Sequence, residues 1–439
     1  NAAGYLAKAL VEKGLGKGEL VIITEEDALP YERPALSKAF LTNENVRLPG
    51  FHTCVGSGNP RQDKEWYEDH GIEVMTGTEV TEVDQISKTL IVSDGHEVPF
   101  KNLIIATGAV PIQLTSKGST LEGIHYLRNV ADGLHLVEGI KACKSESTPA
   151  VARGKAVVVG GGYIGMEVAA QLSLNGIETT MVFPDNGFLV RLFPEKVADM
   201  YENYYMEKGI KILKKGPVVK AFEGGADGKL ERVVLSTNQR LNASLAVIGV
   251  GARPRTDLFR EGLLMDPQHG GIVVDGHMRT SEEGVWAIGD VASFPLLRYG
   301  RTTRMEHVQH ARDSATHLAE VLMSKEQVGD YDYTPYFYSR VFDLAWKFYG
   351  DAVGEPIVIG NMDPYILCIW LNQTGQSTKI SGVFLESGSD DSYSDVIKST
   401  AQKSPVLKTT QLEELKACKK VEDALAILGQ ISQVTTSKL

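Results

Sequence analysis

Apolar segments with strand-like and helix-like spacing alternate along most of the chain. A helical pattern begins at Asn1, and the apolar segment 19–24 that follows it predicts a strand. Further strands are predicted at 103–108, 156–159 and 178–183. Strands that alternate with helices in this way indicate parallel sheets with helices on both faces.

The pattern changes at about residue 329, where aromatic-rich strands replace the alternation. Apolar positions in the tail have helical spacing and predict amphipathic helices; they are Leu412, Leu415, Val421, Ala424, Leu425 and Leu428. The other elements predicted after residue 255 are a strand at 285–288, a helix at 308–323, and strands at 331–349, 365–370 and 380–384.

These elements predict an α/β fold with two Rossmann-like dinucleotide-binding domains and a C-terminal α+β domain. The segment 144–153, with Ser, Thr, Pro and Ala, is predicted to be a linker. The predicted limits are 1–132 together with 255–328 for a discontinuous first domain, 133–254 for the second, and 329–439 for the C-terminal domain.

Composition and charge exclude several functional classes. The chain has 439 residues, too many for one core, and its net charge of −11 argues against non-specific binding to nucleic acid. No run approaches the ~18 apolar residues of a membrane-spanning helix. The four cysteines, Cys54, Cys143, Cys368 and Cys418, form neither a CxxC nor a CxxxxC pair, so a dithiol redox centre is not indicated.

The beginning of the chain departs from the expected motif. A Rossmann unit starts with a strand and a glycine turn before its first helix, and here the helical pattern starts at Asn1. We therefore expect the sequence to be a fragment that lacks the first strand, and a targeting peptide is not visible in it.

A glycine-rich motif with its full context begins the second unit. The strand at 156–159 is followed by Gly160-x-Gly162-x-x-Gly165 and a helix. Gly160 suits a tight turn, Gly162 allows the backbone to approach a pyrophosphate, and Gly165 allows close packing of helix and strand. The alternative, a glycine turn that binds no ligand, is disfavoured by this context. The motif predicts a nicotinamide-dinucleotide site.

An acidic residue follows the next strand at the position expected for ribose recognition. The carboxylate of Asp185 would accept from the 2′-hydroxyl of NADH and repel the 2′-phosphate of NADPH. Arg191, six residues later, would soften this preference. We predict NADH as the first choice, with NADPH tolerated; the alternative for Asp185 is an ordinary turn residue.

Three weaker signals indicate that the first domain binds FAD. Asp290 follows the apolar strand at 285–288 and would bond the ribityl hydroxyls, with the start of a helix facing the flavin. The sequence Ala-Thr-Gly ends a strand at residue 108. Glu26 suits the adenosine ribose, while Arg33 and Lys38 would place positive charge near the pyrophosphate and flavin. Each signal is weak alone, but together, in this order and spacing, they are specific.

Four segments resemble the monodehydroascorbate reductases, and the resemblance covers essentially the whole chain. They are 30–38 (PYERPALSK), 160–167 (GGGYIGME), 306–312 (EHVQHAR) and 335–340 (PYFYSR). The segment 50–56 and the turn 183–184 are more similar to the plastid and mitochondrial branch. The chain departs from the family at Asp185, where glutamate is usual, and in segment 341–349, which lacks an insertion typical of the organellar branch.

The resemblance implies a set of binding residues. It places FAD on Glu26, Arg33, Lys38, the backbone near Val80, Arg128, Asp290, Val308 and Tyr338. It places the nicotinamide nucleotide on Tyr163, Ile164, Glu167, Asp185, Arg191, Gly251, Glu306 and His307. It places the substrate, the monodehydroascorbate radical, between Arg312 and Arg340, with Tyr338 as a further catalytic residue.

The implied chemistry needs position and charge more than acid–base groups. NADH would give a hydride to the flavin, which would return single electrons to two radicals. Two arginines offer forked donors to a small oxygen-rich anion, and Arg301 and Arg304 would add electrostatic steering. The ordinary alternatives are a solvated face for Arg312 and a core role for the strand that carries Tyr338 and Arg340.

The sequence also offers alternatives to the monodehydroascorbate reductase function. A ferredoxin-type or rubredoxin-type NADH reductase shares the segment 33–38 but needs a docking face for a protein partner. A disulfide reductase lacks its CxxxxC pair, and Cys54 is the one candidate for a single-cysteine enzyme. A redox-signalling flavoprotein of the apoptosis-inducing-factor kind shares the architecture. The predicted compartment is the chloroplast, with mitochondrion and cytoplasm as alternatives, and the oligomeric state is not predicted.

Overall fold

The computed structural model describes residues 1–42, 53, 61–145 and 154–434. Cys54, the rest of the segment 50–56 apart from Thr53, and most of the predicted linker lie outside the described residues. The first unit opens with α1 (Ala2–Glu12), whose buried side chains recur at helical spacing. Its elements are α1, β1 (Val21–Ile23), α2 (Lys64–Asp69), β2 (Glu73–Met75), β3 (Val80–Asp84), β4 (Thr89–Val92), β5 (Glu97–Pro99), β6 (Leu103–Ile105) and β7 (Ala109–Pro111).

The chain leaves the first unit for a second one and then returns. The second unit consists of β8 (Ile124–His125), α3 (Val130–Ser145), β9 (Lys155–Val159), α4 (Tyr163–Leu174), β10 (Glu178–Val182), α5 (Glu195–Glu207), β11 (Lys211–Leu213), β12 (Val219–Gly224), β13 (Leu230–Leu235), β14 (Arg240–Asn242), β15 (Leu245–Ile248) and β16 (Ala252–Pro254). The returning segment consists of β17 (Ile272–Val273), β18 (Val285–Ala287), β19 (Ala292–Leu296), β20 (Arg301–Arg304) and α6 (Val308–Met323).

The returning segment completes the first unit by pairing with strands from its beginning. β18 lies parallel to β6, with Val285 opposite Leu103, and α6 packs on α1. The two helices approach through small side chains, since Ala311 and Ala315 are buried in the same cluster as Ala2 and Ala9. This pairing brings the loop after β18 beside the loop after β6. The helix predicted at 308–323 is observed with these bounds.

The second unit has a five-stranded parallel sheet in the order β11-β10-β9-β15-β8. One face is covered by α3, α4 and α5, and the other by the antiparallel sheet β12-β13-β14. The prediction of helices on both faces is therefore wrong for this unit. The strands alternate accordingly, with Val158 packed toward the helices and Val157 toward the small sheet. The domain limit at residue 133 stays a prediction, although β8 already belongs to this sheet.

The C-terminal unit is an antiparallel sheet whose central strands are buried on both faces. The strand order is β21-β22-β25-β24-β23, with β26 paired to β25. Along β24, Cys368 packs toward the second unit and Ile369 toward the C-terminal helices, so the segment is apolar without alternation. The elements are β21 (Tyr336–Val341), β22 (Leu344–Gly350), β23 (Glu355–Gly360), β24 (Ile366–Thr374), β25 (Ser377–Glu386), α7 (Ser394–Lys403), β26 (Val406–Leu407), α8 (Thr409–Ala417) and α9 (Val421–Val434).

The tail forms the two amphipathic helices that its apolar spacing predicts, α8 and α9. The predicted strand at 331–349 begins later than expected, at Tyr336, because Tyr331 and Tyr333 precede it and pack around His310 in the core of the first unit. Among the described residues, none of the helices is both long and apolar enough to cross a bilayer.

Two buried histidines predict that the protein loses stability on acidification. Burial lowers the pKa of His125 to about 4 and that of His310 to about 3, well below the ordinary value of 6.5. Above pH 6.5 both histidines are neutral in the folded and in the unfolded protein, and their contribution to stability is fully present. This contribution is lost as the pH falls from 6.5 toward the pKa of the folded state. In that pH range, each histidine should lower the free energy of unfolding by about 1.4 kcal/mol per pH unit.

Urea denaturation of the FAD-loaded protein at pH 7.5 and pH 5.5 measures this loss. We expect a clearly lower midpoint at pH 5.5. His125→Phe removes one titrating group, keeps a ring, and should make the decline shallower. Equal midpoints at the two pH values would contradict the prediction.

Candidate active site

Two ion pairs join the residues predicted to hold the flavin nucleotide. Glu26 follows β1 and pairs with Arg33, and the hydroxyl of Tyr31 donates to Glu26 at 2.6 Å. Arg128 pairs with Asp290 at 2.9 Å, and Arg33 donates to the carbonyl oxygen of Arg128 at 2.9 Å. The structure therefore brings Glu26, Arg33, Arg128 and Asp290 into one network, although they come from three distant segments.

Both carboxylates of this network stay ionised. Burial alone would raise the pKa of Asp290, but Arg128 outweighs burial and holds the pKa below its usual value. In the same way, Arg33 and the Tyr31 hydroxyl outweigh burial at Glu26 and lower its pKa. Charged acceptors beside buried arginine donors suit the hydroxyls and phosphates of a dinucleotide.

A cavity of about 320 Å³ lies beside this network and includes Val80 in its lining. Glu79, Thr107 and Arg255 contribute polar groups to it, and Arg255 also pairs with Glu25 at the end of β1. Gly108 has φ +70°, a conformation that side chains rarely adopt, and its added Cβ would lie 2.9 Å from the Arg128 guanidinium. The Ala-Thr-Gly segment therefore lies between the cavity and the ion pairs.

The Gly289–Asp290 turn differs from its prediction. It is a single 3-10 turn, Gly289–Val291, followed at once by β19, and it does not begin an α-helix. The helix that begins near Asp290 is α6, whose first residue is Val308 and whose N-cap is His307. Burial lowers the pKa of His307 to about 4, so its ring is neutral at physiological pH.

The glycine turn of the second unit has the geometry that its motif predicts. Gly160 has φ +122°, and a Cβ on it would lie 2.1 Å from the carbonyl oxygen of Gly249. A Cβ on Gly165 would lie 2.1 Å from the carbonyl oxygen of Gly160. Gly162 is different, because a Cβ on it would meet no atom within 4 Å in the part of the chain that the structure describes. The glycine at this position therefore leaves open space at the N-terminus of α4.

The residues predicted to recognise the rest of the dinucleotide lie around this turn. Asp185 and Arg191 are exposed in the loop after β10, and Ile164 is partly exposed in the first turn of α4. Gly251 is exposed after β15, with φ +113°. The structure shows no ion pair between Asp185 and Arg191 in the described residues.

Glu167 connects the three units of the protein. It lies on α4 and is 4% exposed. Its carboxylate pairs with Lys38 of the first unit at 2.8 Å and accepts from the Ser37 hydroxyl. It also accepts from Ser339 of β21 at 2.6 Å. One buried carboxylate is therefore held by a lysine and two hydroxyls from different parts of the chain.

An aromatic group surrounds this carboxylate. The rings of Tyr163 and Phe337 lie with centroids 5.4 Å apart, and those of His307 and Phe337 lie 4.4 Å apart. The Nδ1 atom of His307 is buried without a hydrogen-bond partner among the described residues. Tyr163, Glu167 and His307, which were predicted to bind the nicotinamide, therefore converge.

Arg312 is held by a carboxylate that the sequence reasoning missed. Its guanidinium donates to Glu32 at 2.7 Å and lies over the ring of Tyr5, with 5.2 Å from Cζ to the ring centroid. The Tyr5 hydroxyl donates to the other oxygen of Glu32. Arg312 is thus neither a fully solvated residue nor an uncompensated positive charge.

Tyr338 and Arg340 lie on one face of β21, because side chains alternate along a strand. Ser339 and Val341 on the opposite face are buried, whereas Arg340 is exposed. The helix α6, which carries Arg312, packs against β21, and Tyr338 is one of the groups that raise the pKa of Arg312. The predicted core role for this strand therefore holds for one face, and Tyr338 and Arg340 belong to the other.

The prediction that Arg301 and Arg304 steer the substrate is wrong. Arg301 pairs with Asp351 at 2.8 Å. Arg304 is only 12% exposed, pairs with Glu306 at 2.7 Å, and donates to the carbonyl oxygen of Asp290. Because paired charges largely cancel at a distance, neither arginine supplies a free positive field. Glu306 is consequently engaged by Arg304.

Sequence reasoning missed four residues of the site: Tyr5, Glu32, Ser37 and Ser339. Glu32, Ser37 and Ser339 lie inside the motifs used for the resemblance, so only their individual roles went unnoticed. In the described residues, no three His, Cys, Asp or Glu side chains are grouped to hold a metal ion.

The residues present fit both dinucleotides. The open space at Gly162, next to a helix N-terminus, is where the backbone would receive a phosphate. The buried Nδ1 of His307 and Nε of Arg312, each without a hydrogen-bond partner among the described residues, lie on α6 close to the ion-pair network. Such orphaned polar atoms are costly unless a ligand satisfies them.

Comparison with known proteins supports this architecture along the chain. Residues 1–315 match the family described as pyridine nucleotide-disulphide oxidoreductase. Residues 334–418 match the C-terminal domain described as monodehydroascorbate reductase 3-like. A monodehydroascorbate reductase of Solanum lycopersicum is 45% identical over 405 residues, which cover 90% of this chain and 91% of that protein.

Relatives from several compartments are similarly close. A chloroplastic monodehydroascorbate reductase of Oryza sativa subsp. japonica is 43% identical over 438 residues, covering 97% of this chain and 85% of that protein. A peroxisomal one of Arabidopsis thaliana is 44% identical over 420 residues, covering 94% and 83%. The fold and the two dinucleotide sites define a pyridine nucleotide-dependent flavoprotein oxidoreductase. Within that class, the chain belongs to the monodehydroascorbate reductase family.

Solved structures agree in fold. A ferredoxin reductase from Rhodopseudomonas palustris superimposes with a TM-score of 0.81 at 24% identity, covering 97% of this chain and 96% of that one. The putidaredoxin reductase–putidaredoxin complex gives a TM-score of 0.83 at 24% identity, covering 98% and 96%. At this identity the likeness concerns the fold alone.

Proposed function

We propose that the protein reduces the monodehydroascorbate radical to ascorbate with electrons from a nicotinamide nucleotide, using bound FAD. The observation that carries the proposal is the position of β21. This strand lies inside the matched C-terminal domain and packs against α6, so that Tyr338 acts on the Arg312 charge, and Arg340 lies on the same face of the strand as Tyr338. The reductase-specific domain thus contributes two of three substrate residues.

The first unit would hold the FAD. Glu26 and Asp290 would accept from ribose and ribityl hydroxyls, Arg33 and Arg128 would keep these carboxylates ionised and oriented, and the cavity at Val80 would take the adenosine end. Lys38, Val308 and Tyr338 would surround the flavin. When bound, FAD supplies the exchange between a two-electron donor and one-electron acceptors, which no side chain can provide.

The second unit would hold the nicotinamide nucleotide. Gly160, Gly162 and Gly165 shape the phosphate site, and Tyr163, Ile164, Gly251 and Glu306 would line the nucleotide. Glu167 fixes Lys38, and the neutral His307 ring completes an apolar wall with Phe337. These groups exclude water and align the nicotinamide, and the reaction consumes no side-chain acid, base or nucleophile.

We also infer that NADH is the preferred donor, with NADPH tolerated. Asp185 is exposed at the end of β10, where a carboxylate accepts from a 2′-hydroxyl and repels a 2′-phosphate. Arg191 lies in the same exposed loop and would reduce that repulsion. The ratio of kcat/KM for the two nucleotides decides this point.

For the compartment we propose the chloroplast. Support comes from the sequence likeness of segments 50–56 and 183–184 to the organellar branch, and from the coverage of the rice chloroplastic relative. A ferredoxin-type reductase is not favoured, because the ferredoxin reductase structures share the fold at only 24% identity, whereas the monodehydroascorbate reductases are 43–45% identical.

Replacing the substrate arginines tests the function. Arg340→Ala removes an exposed side chain that forms no ion pair with another described residue, so folding should be unaffected. We expect kcat/KM for the radical to fall about 10–100-fold in Arg340→Ala and in Arg312→Ala, because each loses one charge-assisted contact. The assay is NADH oxidation by FAD-loaded protein, with the radical generated from ascorbate by ascorbate oxidase.

The reduction of the flavin by NADH alone is the control and should stay within about twofold in Arg340→Ala. Rapid flavin reduction by the wild-type protein without radical-dependent turnover would discard the substrate assignment. Unchanged kcat/KM in both variants would discard the arginines as substrate residues while keeping the reaction.

A further inference from the structure

Neighbouring residues of the segment at the start of the 3-10 helix Arg33–Ala35 belong to two different parts of the site. Tyr31 and Arg33 belong to the flavin-nucleotide network with Glu26. Glu32, between them, belongs instead to Arg312 and Tyr5. It is 9% exposed and lies 280 positions from Arg312 in the sequence. A buried carboxylate at this point is costly unless it is paired, so its role needs an explanation.

The contacts around Glu32 fix the Arg312 guanidinium in one direction. One terminal nitrogen of the Arg312 guanidinium donates to Glu32 Oε2 at 2.7 Å. The guanidinium carbon lies over the Tyr5 ring, 5.2 Å from its centroid. The Tyr5 hydroxyl donates to Glu32 Oε1, so the carboxylate itself cannot rotate freely. The Nε atom of Arg312 is buried and makes no hydrogen bond to another described residue.

The same contact reduces the positive charge that Arg312 offers. An arginine whose terminal nitrogen is already bound to a carboxylate attracts a second anion less strongly than a free one. An anionic acceptor beside Tyr338 would therefore compete with Glu32 for the guanidinium. The pair is mostly withdrawn from solvent, with side-chain exposures of 23% for Arg312 and 11% for Glu32, so solvent screens it only partly.

We propose that Glu32 is a positioning residue that orients Arg312 and at the same time limits the affinity of the site for its anionic acceptor. This rests on the proposed function, since it takes Arg312 to contact the radical anion. Weak holding of the acceptor suits a reaction in which two radicals bind and two product anions leave in each cycle. Glu32 thus sets the balance between binding and release.

The test compares Glu32→Gln with the wild-type protein. Glutamine keeps the shape and can accept from Arg312 through its oxygen while its NH₂ group donates to the Tyr5 hydroxyl. It removes the charge. We expect KM for the radical to fall about fivefold, with kcat unchanged or lower because product release slows. KM for an uncharged benzoquinone acceptor should stay within twofold.

A matched control separates this local effect from a change in net charge. Asp351→Asn also raises the net charge by one and also frees an arginine, Arg301, from its ion pair. Arg301, however, lies outside the proposed substrate face and is 43% exposed. We expect its KM for the radical to match the wild type. In an Arg312→Ala background, Glu32→Gln should no longer lower KM, because the two residues act as a unit.

Three results would overturn the proposal. KM could stay the same or rise in folded, FAD-containing Glu32→Gln, which would make Glu32 purely structural. Asp351→Asn could lower KM for the radical as much as Glu32→Gln does. Alternatively, Glu32→Gln could lower KM equally in the Arg312→Ala background. Either result would show that net charge, and not the contact between Glu32 and Arg312, sets the affinity. If Glu32→Gln does not fold, Glu32→Asp replaces it, since withdrawing the charge by one methylene should lower KM about twofold. Failure of the proposed function is distinguishable, because the wild-type protein would then show no radical-dependent turnover.

Discussion

Replacing Glu167 with alanine should slow the reduction of the bound flavin by NADH about 10²-fold and destabilise the protein. Lys38 is 18% exposed, and Glu167 is its carboxylate partner at 2.8 Å. Removing one member of a buried ion pair leaves the other charge uncompensated, which costs about 3–5 kcal/mol. The hydroxyls of Ser37 and Ser339 lose the same acceptor. The site therefore loses both the direction of Lys38 and the contact between three units.

The effect on rate follows from position. Tyr163, on the same helix as Glu167, packs against Phe337, which neighbours Ser339 on β21. Loss of the carboxylate lets β21 and α4 move relative to each other, and a displacement of about 1 Å between reacting groups can cost 10²-fold in rate. Stopped-flow reduction of FAD-loaded protein by NADH measures the rate, and urea denaturation measures the stability.

Two milder variants separate charge from position. Glu167→Gln keeps one acceptor oxygen, enough for one of the two serine hydroxyls, but loses the ion pair. Ser339→Ala keeps the ion pair but loses the contact with the C-terminal unit. We expect Glu167→Gln to be the slower of the two in flavin reduction, and Ser339→Ala to lose less than about tenfold. Flavin reduction at the wild-type rate in Glu167→Ala would exclude Glu167 from the site.

The sequence predicts those parts of the site whose constraint is local. Position 160 has a positive φ and lies in close contact with Gly249, and only glycine satisfies both conditions. The constraint is therefore visible in the sequence as a glycine at a fixed place in a short motif. The helix α6 is predicted with its observed bounds because its buried positions recur at helical spacing. Asp290 is found because it ends an apolar strand, a position that carries ligands in parallel sheets.

The parts that escaped prediction depend on contacts between distant segments. Glu32 acquires its role from Arg312, and Ser339 acquires its role from Glu167, 172 positions earlier. The sequence around Arg301 shows positive charge but not its distant partner Asp351. The sheet β12-β13-β14 was missed because its short strands mix charged and apolar residues, and they become recognisable only where they cover the parallel sheet.

The largest loss of nucleotide binding at constant stability is expected for Gly162→Ala. Gly162 has φ −87° and ψ −173°, a conformation that alanine adopts without strain, and the added Cβ would meet no atom of the described residues within 4 Å. The fold therefore does not require glycine here. The Cβ would occupy the space through which a pyrophosphate approaches the N-terminus of α4. We expect KM for NADH to rise about 10²-fold, with the flavin content and the urea midpoint unchanged.

Gly160→Ala supplies the contrast, because its side chain would meet protein instead of ligand. Its φ of +122° and the 2.1 Å approach of a Cβ to the Gly249 carbonyl oxygen predict a loss of stability of about 3 kcal/mol or more, before any effect on binding. Gly429→Ala, on α9 and without a described protein atom within 4 Å of the added Cβ, is the control for a glycine outside the site, and it should bind NADH normally and not lose stability. Steady-state kinetics with NADH and urea midpoints for the three variants distinguish the two roles. If Gly162→Ala lost stability like Gly160→Ala, or bound NADH as the wild type does, the open space at the helix terminus would not be the phosphate site.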